Sequence, residues 1–448
     1  MVKKGEFIMS YARWATTDEI KKNTTKITRN DTVKKSGIEF MYDDDSIYIN
    51  DSEVHSLVIG STGSGKTQTT IMPQIYLSIK AGESFIVNDH AGELFNEFSG
   101  MAKENNYNVQ VINFRDMTKG NNYNPLYIPY TLYNKGNIDE AIELIENVGY
   151  NLISDFNQTD SDPFWENSAV NLFTGLALYL FNKAKIDEIN INSIVSLSNT
   201  IDDLTKELST DKSSIIYTYL SPILEAPKET KGSIISVFKQ KLSIIVSREL
   251  LSKLLCNNNI DLENIKNKKT AIFVISDGKY SSIIMPMILN QVYNIIKLNN
   301  QVENRLNIIL DEFGTIKPIK NFLDILTFSR SLNIRLTLIV QSILHLKNIY
   351  GDKTTEFIKM AIGNTIYLLA NDSDTLEMIV KECGRQDENN PLINAEELKV
   401  LSYFEAIIIT SRMYPIKTKL LPYYQFNIPK VDEIELKPLQ YNEVKLYK

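Results

Sequence analysis

The chain has 448 residues, 43% hydrophobic and 23% charged, which excludes wholesale disorder, and at roughly 100–200 residues per domain it calls for two to three structural units. A net charge of −7 excludes a molecule coated in positive potential, although a local basic strip remains compatible with it because contact depends on the local field. Cys256 and Cys383, and His55, His90 and His345, share no ligand spacing, so neither a disulfide framework nor a protein-built metal cage is expected, and the histidines read as ordinary packed or surface residues.

The N-terminal stretch "MVKKGEFIMSYARWATTDEI" lacks the apolar core of a signal peptide. The longest strongly apolar run, "LFTGLALYLF" (172–181), is half the ~20 residues a bilayer span needs, so the sequence reads as soluble. The first buried-strand run, "HSLVIG" (55–60), leads directly into a glycine-rich turn and then a helical stretch, "QTTIMPQIYLSIKAG". Together they satisfy GxxxxGK[ST] as Gly60, Ser61, Thr62, Gly63, Ser64, Gly65, Lys66 and Thr67, in the strand-before, helix-after context that the motif requires. Glycines let successive N–H groups point inward, and the helix N-terminus adds partial positive charge. Lys66 would reach the β- and γ-phosphates of a nucleotide, and the Thr67 hydroxyl would bind Mg²⁺.

Further runs follow: "SFIVND" (84–89), "VQVINF" (109–114), "TAIFVIS" (270–276), "LNIILDEFG" (306–314), "IRLTLIVQS" (334–342), "NTIYLLAN" (364–371) and "EAIIITS" (405–411). They are β-branched and do not alternate with polar residues, which marks strands buried on both faces of a mainly parallel sheet. Residues 125–258 instead carry long segments with helical spacing, and "TDSDPFWE" supplies helix-start caps there. The expected organisation is an α/β nucleotide-binding domain in two parts, 1–124 and 259–448, interrupted by an inserted all-helical domain, 125–258. A weakly periodic tail, 421–448, drapes over the surface or is mobile. Lys228, Lys231, Lys239 and Lys241 form a basic cluster that reads first as a solvated helix face. Phe164 and Trp165 read as pins of a helix start into the core.

The run "NIILDEFG" ends in a carboxylate pair: Asp311 is positioned to hold the Mg²⁺ shell and Glu312 to polarise the attacking water. Gln341, closing "RLTLIVQS", is a candidate γ-phosphate sensor, with a capping amide as its alternative. Arg330 is a candidate arginine finger toward a neighbouring subunit, a surface salt bridge being the alternative and Arg335 its competitor.

Taken together, "YARWATTDEI", "GSTGSGKTQTTIMPQI", "NDHAGEL", "NNYNPL", "SDPFWENSAVNLFTGLALYL", "KGSIISVF", "LNIILDEFG", "SLNIRLTLIVQS" and "RMYPI" resemble the coupling ATPases of type IV secretion and conjugation, the VirD4/TraG-like family. The resemblance covers roughly residues 10–416. It implies a RecA-like P-loop NTPase domain, a homo-hexamer when active, and hydrolysis of ATP with Mg²⁺. It also implies delivery of a relaxase joined to single-stranded DNA to a transfer channel, with the residues above in the roles given.

Two departures qualify it. Family members usually carry two membrane-spanning helices before the ARWA-like segment, and here about a dozen polar residues precede it. The expectation is a naturally soluble variant, cytoplasmic and peripheral at the membrane through a separate small membrane protein, with a truncation as the alternative. In "NDHAGEL" the family's Asp-Pro-Lys-Gly-Glu keeps Asp89, Gly92 and Glu93, but Ala91 replaces the lysine. Rival functions are a protein-only recruitment ATPase and a nucleotide-gated receptor without sustained turnover.

Overall fold

The computed structural model describes residues 11–28, 31–44, 46–154, 162–208, 210–299 and 304–448; the opening "MVKKGEFIMS" and residues 159–161 of the "TDSDPFWE" cap lie outside them. Three short strands, β1 (Thr25–Thr28), β2 (Ile38–Asp43) and β3 (Ser46–Asn50), form a small antiparallel sheet in the order β1-β3-β2. Beside it stands a nine-stranded sheet of β4 (His55–Gly60), β5 (Ser84–Asp89), β6 (Asn108–Asn113), β7 (Thr270–Ile275), β8 (Leu306–Leu310), β9 (Ile334–Val340), β10 (Ile362–Leu369), β11 (Glu405–Thr410) and β12 (Ile416–Lys419). Its spatial order is β12-β11-β10-β4-β9-β8-β5-β7-β6. From β10 to β6 every neighbouring pair is parallel, and β11 and β12 are added antiparallel at one edge.

Each of the eight apolar runs therefore supplies a strand, and the chain is α/β with a mainly parallel sheet. Alternate residues of a strand feed opposite faces: Leu57 and Ile59 of β4 join one core, and Val58 the other, all 1% exposed or less. Burying one such side chain contributes about 1.5–3 kcal/mol, which is why both-face burial selects apolar runs in place of alternation. The helices Met72–Ala81 and Glu93–Glu104 cover one face, through Ile75, Ile79, Leu94 and Phe98.

Between β6 and β7 the described residues form eight α-helices, from Tyr127 to Leu255. The central one, Pro163–Lys183, starts at Asp162, whose carboxylate accepts the Phe164 N–H at 3.0 Å, and has proline in its first turn. Its run 172–181 is buried all round, as a helix without a polar face must be. Gly175 lets the helix Ile215–Leu224 approach; a Cβ there would lie 2.5 Å from Leu220. Trp165 packs partly buried against this core, but Phe164 is 49% exposed, so only one of the expected pair pins the helix start. Lys231 pairs with Asp202 and Lys241 with Glu166, each at 2.9 Å, which makes this part of the basic cluster a neutralised helix face.

Segments near both ends of the described chain are clasped to the rest of the fold. Arg13 lies 4.0 Å from the Tyr414 ring centroid and pairs with Glu19, and Ala15 N–H donates to Pro415 O, joining "ARWATT" to "RMYPI". The segment after 421 crosses the helix Glu93–Glu104 at Gly100, where Asp432 O leaves no room for a Cβ, and exchanges hydrogen bonds with Asn122 at Tyr441. Among the described residues no helix is long and apolar enough to cross a membrane.

Candidate functional site

Parallel strands bring their C-terminal ends to one edge, where the residues that follow them converge. At this edge the loop after β4 faces the acids after β8, with β9 between them. Gly63 and Gly65 take φ of 78° and 94°, which glycine alone adopts without strain. Gly60 has no room for a side chain: a Cβ would meet Ser64 Oγ at 2.3 Å and Lys66 Cγ at 2.9 Å. Lys66 Nζ donates to Gly60 O at 2.5 Å and Ser61 O at 3.0 Å, and Ser64 Oγ is buried without a partner among the described residues. A tight loop with inward polar atoms is what a phosphate chain requires. Thr67 opens a wide turn, Thr67–Ile71, that widens the helix start just after the loop, a distortion that tends to occur at functional sites.

The acids are brought to Lys66 by the sheet. Burial lowers the Lys66 ammonium's pKa, and the charges of Asp311 and Glu312 oppose that effect. Asp311 is shifted up by burial, against the hydrogen bond from the Glu312 N–H and the charges of Lys66 and His90, while the Glu312 carboxylate adds to the rise. Glu312 follows in the left-handed region, φ 50°, its N–H donating to Asp311 Oδ1 at 2.9 Å. A non-glycine residue held there marks a backbone whose surroundings impose it. Phe313, fully buried against Phe322 and Tyr350, anchors the turn from the other side.

Two participants had no signal of their own in the sequence. Asn88, near the end of β5, clamps the Asp311 backbone from both directions: its Nδ2 donates to Asp311 O at 2.5 Å, and its Oδ1 accepts from Asp311 N–H at 2.6 Å. His90, half-exposed and read from the sequence as an ordinary packed or surface residue, places its Nδ1 3.7 Å from Glu312 Oε2. The only hint was their position in "NDHAGEL", immediately after a buried strand. Asp89 in the same segment accepts the Gly92 and Phe95 N–H groups, capping the helix Glu93–Glu104.

Gln341 stands at the end of β9, between the phosphate loop and the acids, with no side-chain hydrogen bond among the described residues. Arg330 is not part of this cluster. It is exposed after the helix Phe322–Ser329, ahead of β9, near His55 at the opposite ends of the strands. Its competitor Arg335 is buried: Nε donates to Asn307 Oδ1 at 3.0 Å and its guanidinium reaches Ser36 Oγ at 2.8 Å, in a polar knot with Glu83 and Arg305. Such an arginine cannot extend to another subunit. His55 is likewise internal, between Leu326 O and Leu336 N–H, with burial lowering its pKa to about 4.

Comparison with known proteins shows the family and the fold. The family described as "Type IV secretory system Conjugative DNA transfer" matches residues 10–386. The bacterial conjugative coupling protein TrwB (ΔN70, unbound form) has the same fold, with TM-score 0.71, 14% identity and 95% of each chain covered. TrwB in complex with ADP and Mg²⁺ gives TM-score 0.70 at 14% identity, over 95% of this chain and 96% of that one. VirB4 of Thermoanaerobacter pseudethanolicus gives 0.55 at 14% identity, over 86% and 96%. No curated protein matches the sequence.

Proposed function

Since the chain belongs to the type IV secretory system conjugative DNA transfer family, we propose that it is an ATPase that hydrolyses Mg·ATP to deliver a relaxase joined to single-stranded DNA into a secretion channel. The observation that carries this reading is the convergence of Lys66 with Asp311 and Glu312 at one edge of the sheet, from positions some 245 residues apart.

The residues present fit the ligand. Amides of residues 60–67 and Lys66 would hold the phosphates, and Thr67 with Asp311 would hold the Mg²⁺ ion, the latter through water. When bound, the ion neutralises charge on the β- and γ-phosphates. Glu312 Oε takes the proton of the attacking water, and the Asn88 clamp fixes the strand end that presents it. Gln341, with a free amide between loop and acids, links the terminal phosphate to the end of β9. Arg330, exposed and remote from its own phosphate loop, would serve a second copy in a ring, its guanidinium stabilising charge on that copy's nucleotide. Such a ring would dock at the membrane through a partner protein. Residues 1–124 and 259–448 would form the motor and 125–258 its cargo-facing domain.

ATPase rates measured with and without single-stranded DNA, with the mass determined in both states, test this reading. Stimulation by DNA accompanied by growth toward a hexamer is expected. Turnover indifferent to DNA would refute DNA as cargo in favour of proteins alone, and absence of turnover would refute the motor.

A further inference from the structure

The sheet edge that carries the phosphate loop also carries an aromatic turn that the phosphate chemistry does not use. β11 runs antiparallel to β10, which is parallel to β4, so the first residue of β11 lies at the same edge as the end of β4. The turn leading into it holds Tyr403 and Phe404, with ring centroids 4.3 Å apart and planes at 57°. Phe404 has φ of 68°, a conformation that a bulky side chain keeps only where its surroundings impose it. Here Glu405 N–H donates to Ser402 O at 2.9 Å, Ser402 N–H to the Glu405 carboxylate at 2.7 Å, and Leu420 N–H to Phe404 O at 2.9 Å. The locked turn delivers the Phe404 ring to the phosphate loop: a Cβ on Gly65 would lie 3.1 Å from its Cδ1 and Cε1. Tyr403 is 63% exposed beside it, and Tyr424, 60% exposed, has its ring 6.3 Å from that of Phe404.

Strand order sets the direction of any ligand that crosses this edge. From β4 the acids are reached in one direction across β9 to β8, and the aromatic turn in the other across β10 to β11. At about 4.8 Å per strand, β8 and β11, which adjoin the two groups, lie roughly 10 Å to either side of β4. A nucleotide whose terminal phosphate faces Asp311 and Glu312 therefore directs its opposite end to the aromatic turn.

We propose that Tyr403 and Phe404 form the stacking surface for the nucleotide's purine base, with Tyr424 at its rim. The inference rests on the phosphate loop being a nucleotide site and adds to it the means of holding the base. Recognition is through ring faces, which every base presents, so adenine and guanine nucleotides are accepted comparably.

Titration calorimetry of the full chain with Mg·ATP, and with Mg·tripolyphosphate, which has the phosphates but no base, separates the two sites. Tyr403→Ala is expected to weaken Mg·ATP about tenfold, within the usual range for loss of one base–aromatic stack, and to leave Mg·tripolyphosphate unchanged. Phe404→Gly should do the same, because glycine accepts the 68° φ without strain, and Tyr403→Phe should bind as the parent does. Tyr403→Trp adds an optical readout, quenched by Mg·ATP and not by Mg·tripolyphosphate. Parental Mg·ATP affinity in both Tyr403→Ala and Phe404→Gly would overturn the stacking surface while leaving the phosphate site intact. Equal loss of both ligands would overturn it in favour of a structural role. A parent that binds neither ligand would overturn the nucleotide site, and the base surface with it.

Discussion

Replacing Asn88 with alanine removes the clamp between β5 and the turn that bears Asp311 and Glu312. Both lost bonds end on the Asp311 backbone, at 2.5 and 2.6 Å, leaving one carbonyl and one N–H without their partner. An abandoned buried group costs about 1–3 kcal/mol, and since both bonds are only partly buried the lower half of that range applies, about 3 kcal/mol in total. At about 2.1 cal/mol/K per residue the 448-residue chain unfolds with an entropy of about 0.9 kcal/mol/K, so the melting midpoint should fall by about 3 °C. Activity should fall further than stability does: Asp311 and Glu312 ride on the freed strand end, and a displacement of about 1 Å can cost about 100-fold in rate. Asn88→Asp separates the contributions, since it keeps an acceptor for Asp311 N–H, loses the donor to Asp311 O, and sets a negative charge beside a carboxyl already shifted up by burial. Differential scanning calorimetry, with ATPase rates measured well below every midpoint, provides both readouts. An Asn88→Ala chain that melts and hydrolyses Mg·ATP like its parent would refute the coupling of β5 to the acids.

Glu312→Gln should retain Mg·ATP affinity while turnover falls by about 100- to 10,000-fold, the usual contribution of a general base, as calorimetry and steady-state rates on one preparation would establish. Gly60→Ala should abolish nucleotide binding with little change in the ligand-free melting midpoint, because the added Cβ would meet Ser64 Oγ at 2.3 Å inside the loop; retained Mg·ATP affinity would contradict the cradle geometry. Glu39 is buried with its pKa raised to about 8, chiefly by desolvation, and with one oxygen unpartnered. The native state therefore holds a proton that the unfolded chain, near 4.5, releases; stability from this group falls as pH rises from about 4.5 to about 8, and melting scans across that window should show the fall shrink in Glu39→Gln, which keeps an acceptor for the Leu421 N–H.

Much of the fold could be read locally because the forces that select it are local in sequence. A strand buried on both faces must be apolar throughout, so β4 to β11 announced themselves as runs. A phosphate loop is one contiguous turn, so Gly60 to Thr67 appeared as a motif. The small sheet β1–β3 has little signal in the sequence because its strands are short: β1 buries Ile27 and leaves Thr25 and Lys26 exposed, and β3, though largely buried, is a run of five residues. β12 is similar, with Ile416 buried and its neighbours on the surface.

Strand order is what the sequence left open, since β4 pairs with β9 and β10, some 280 and 300 residues away, through packing that no local pattern encodes. That order placed Asn88 on Asp311, His90 against Glu312 and Phe404 over Gly65, and it buried Arg335 while exposing Arg330. Residue type alone distinguishes neither arginine, because a guanidinium is drawn equally to a buried knot of polar partners and to open solvent. Which it meets depends on the strand start beneath it. The sequence thus determined the chemistry available to this protein, and the tertiary structure decided which side chains stand within reach of one another to perform it.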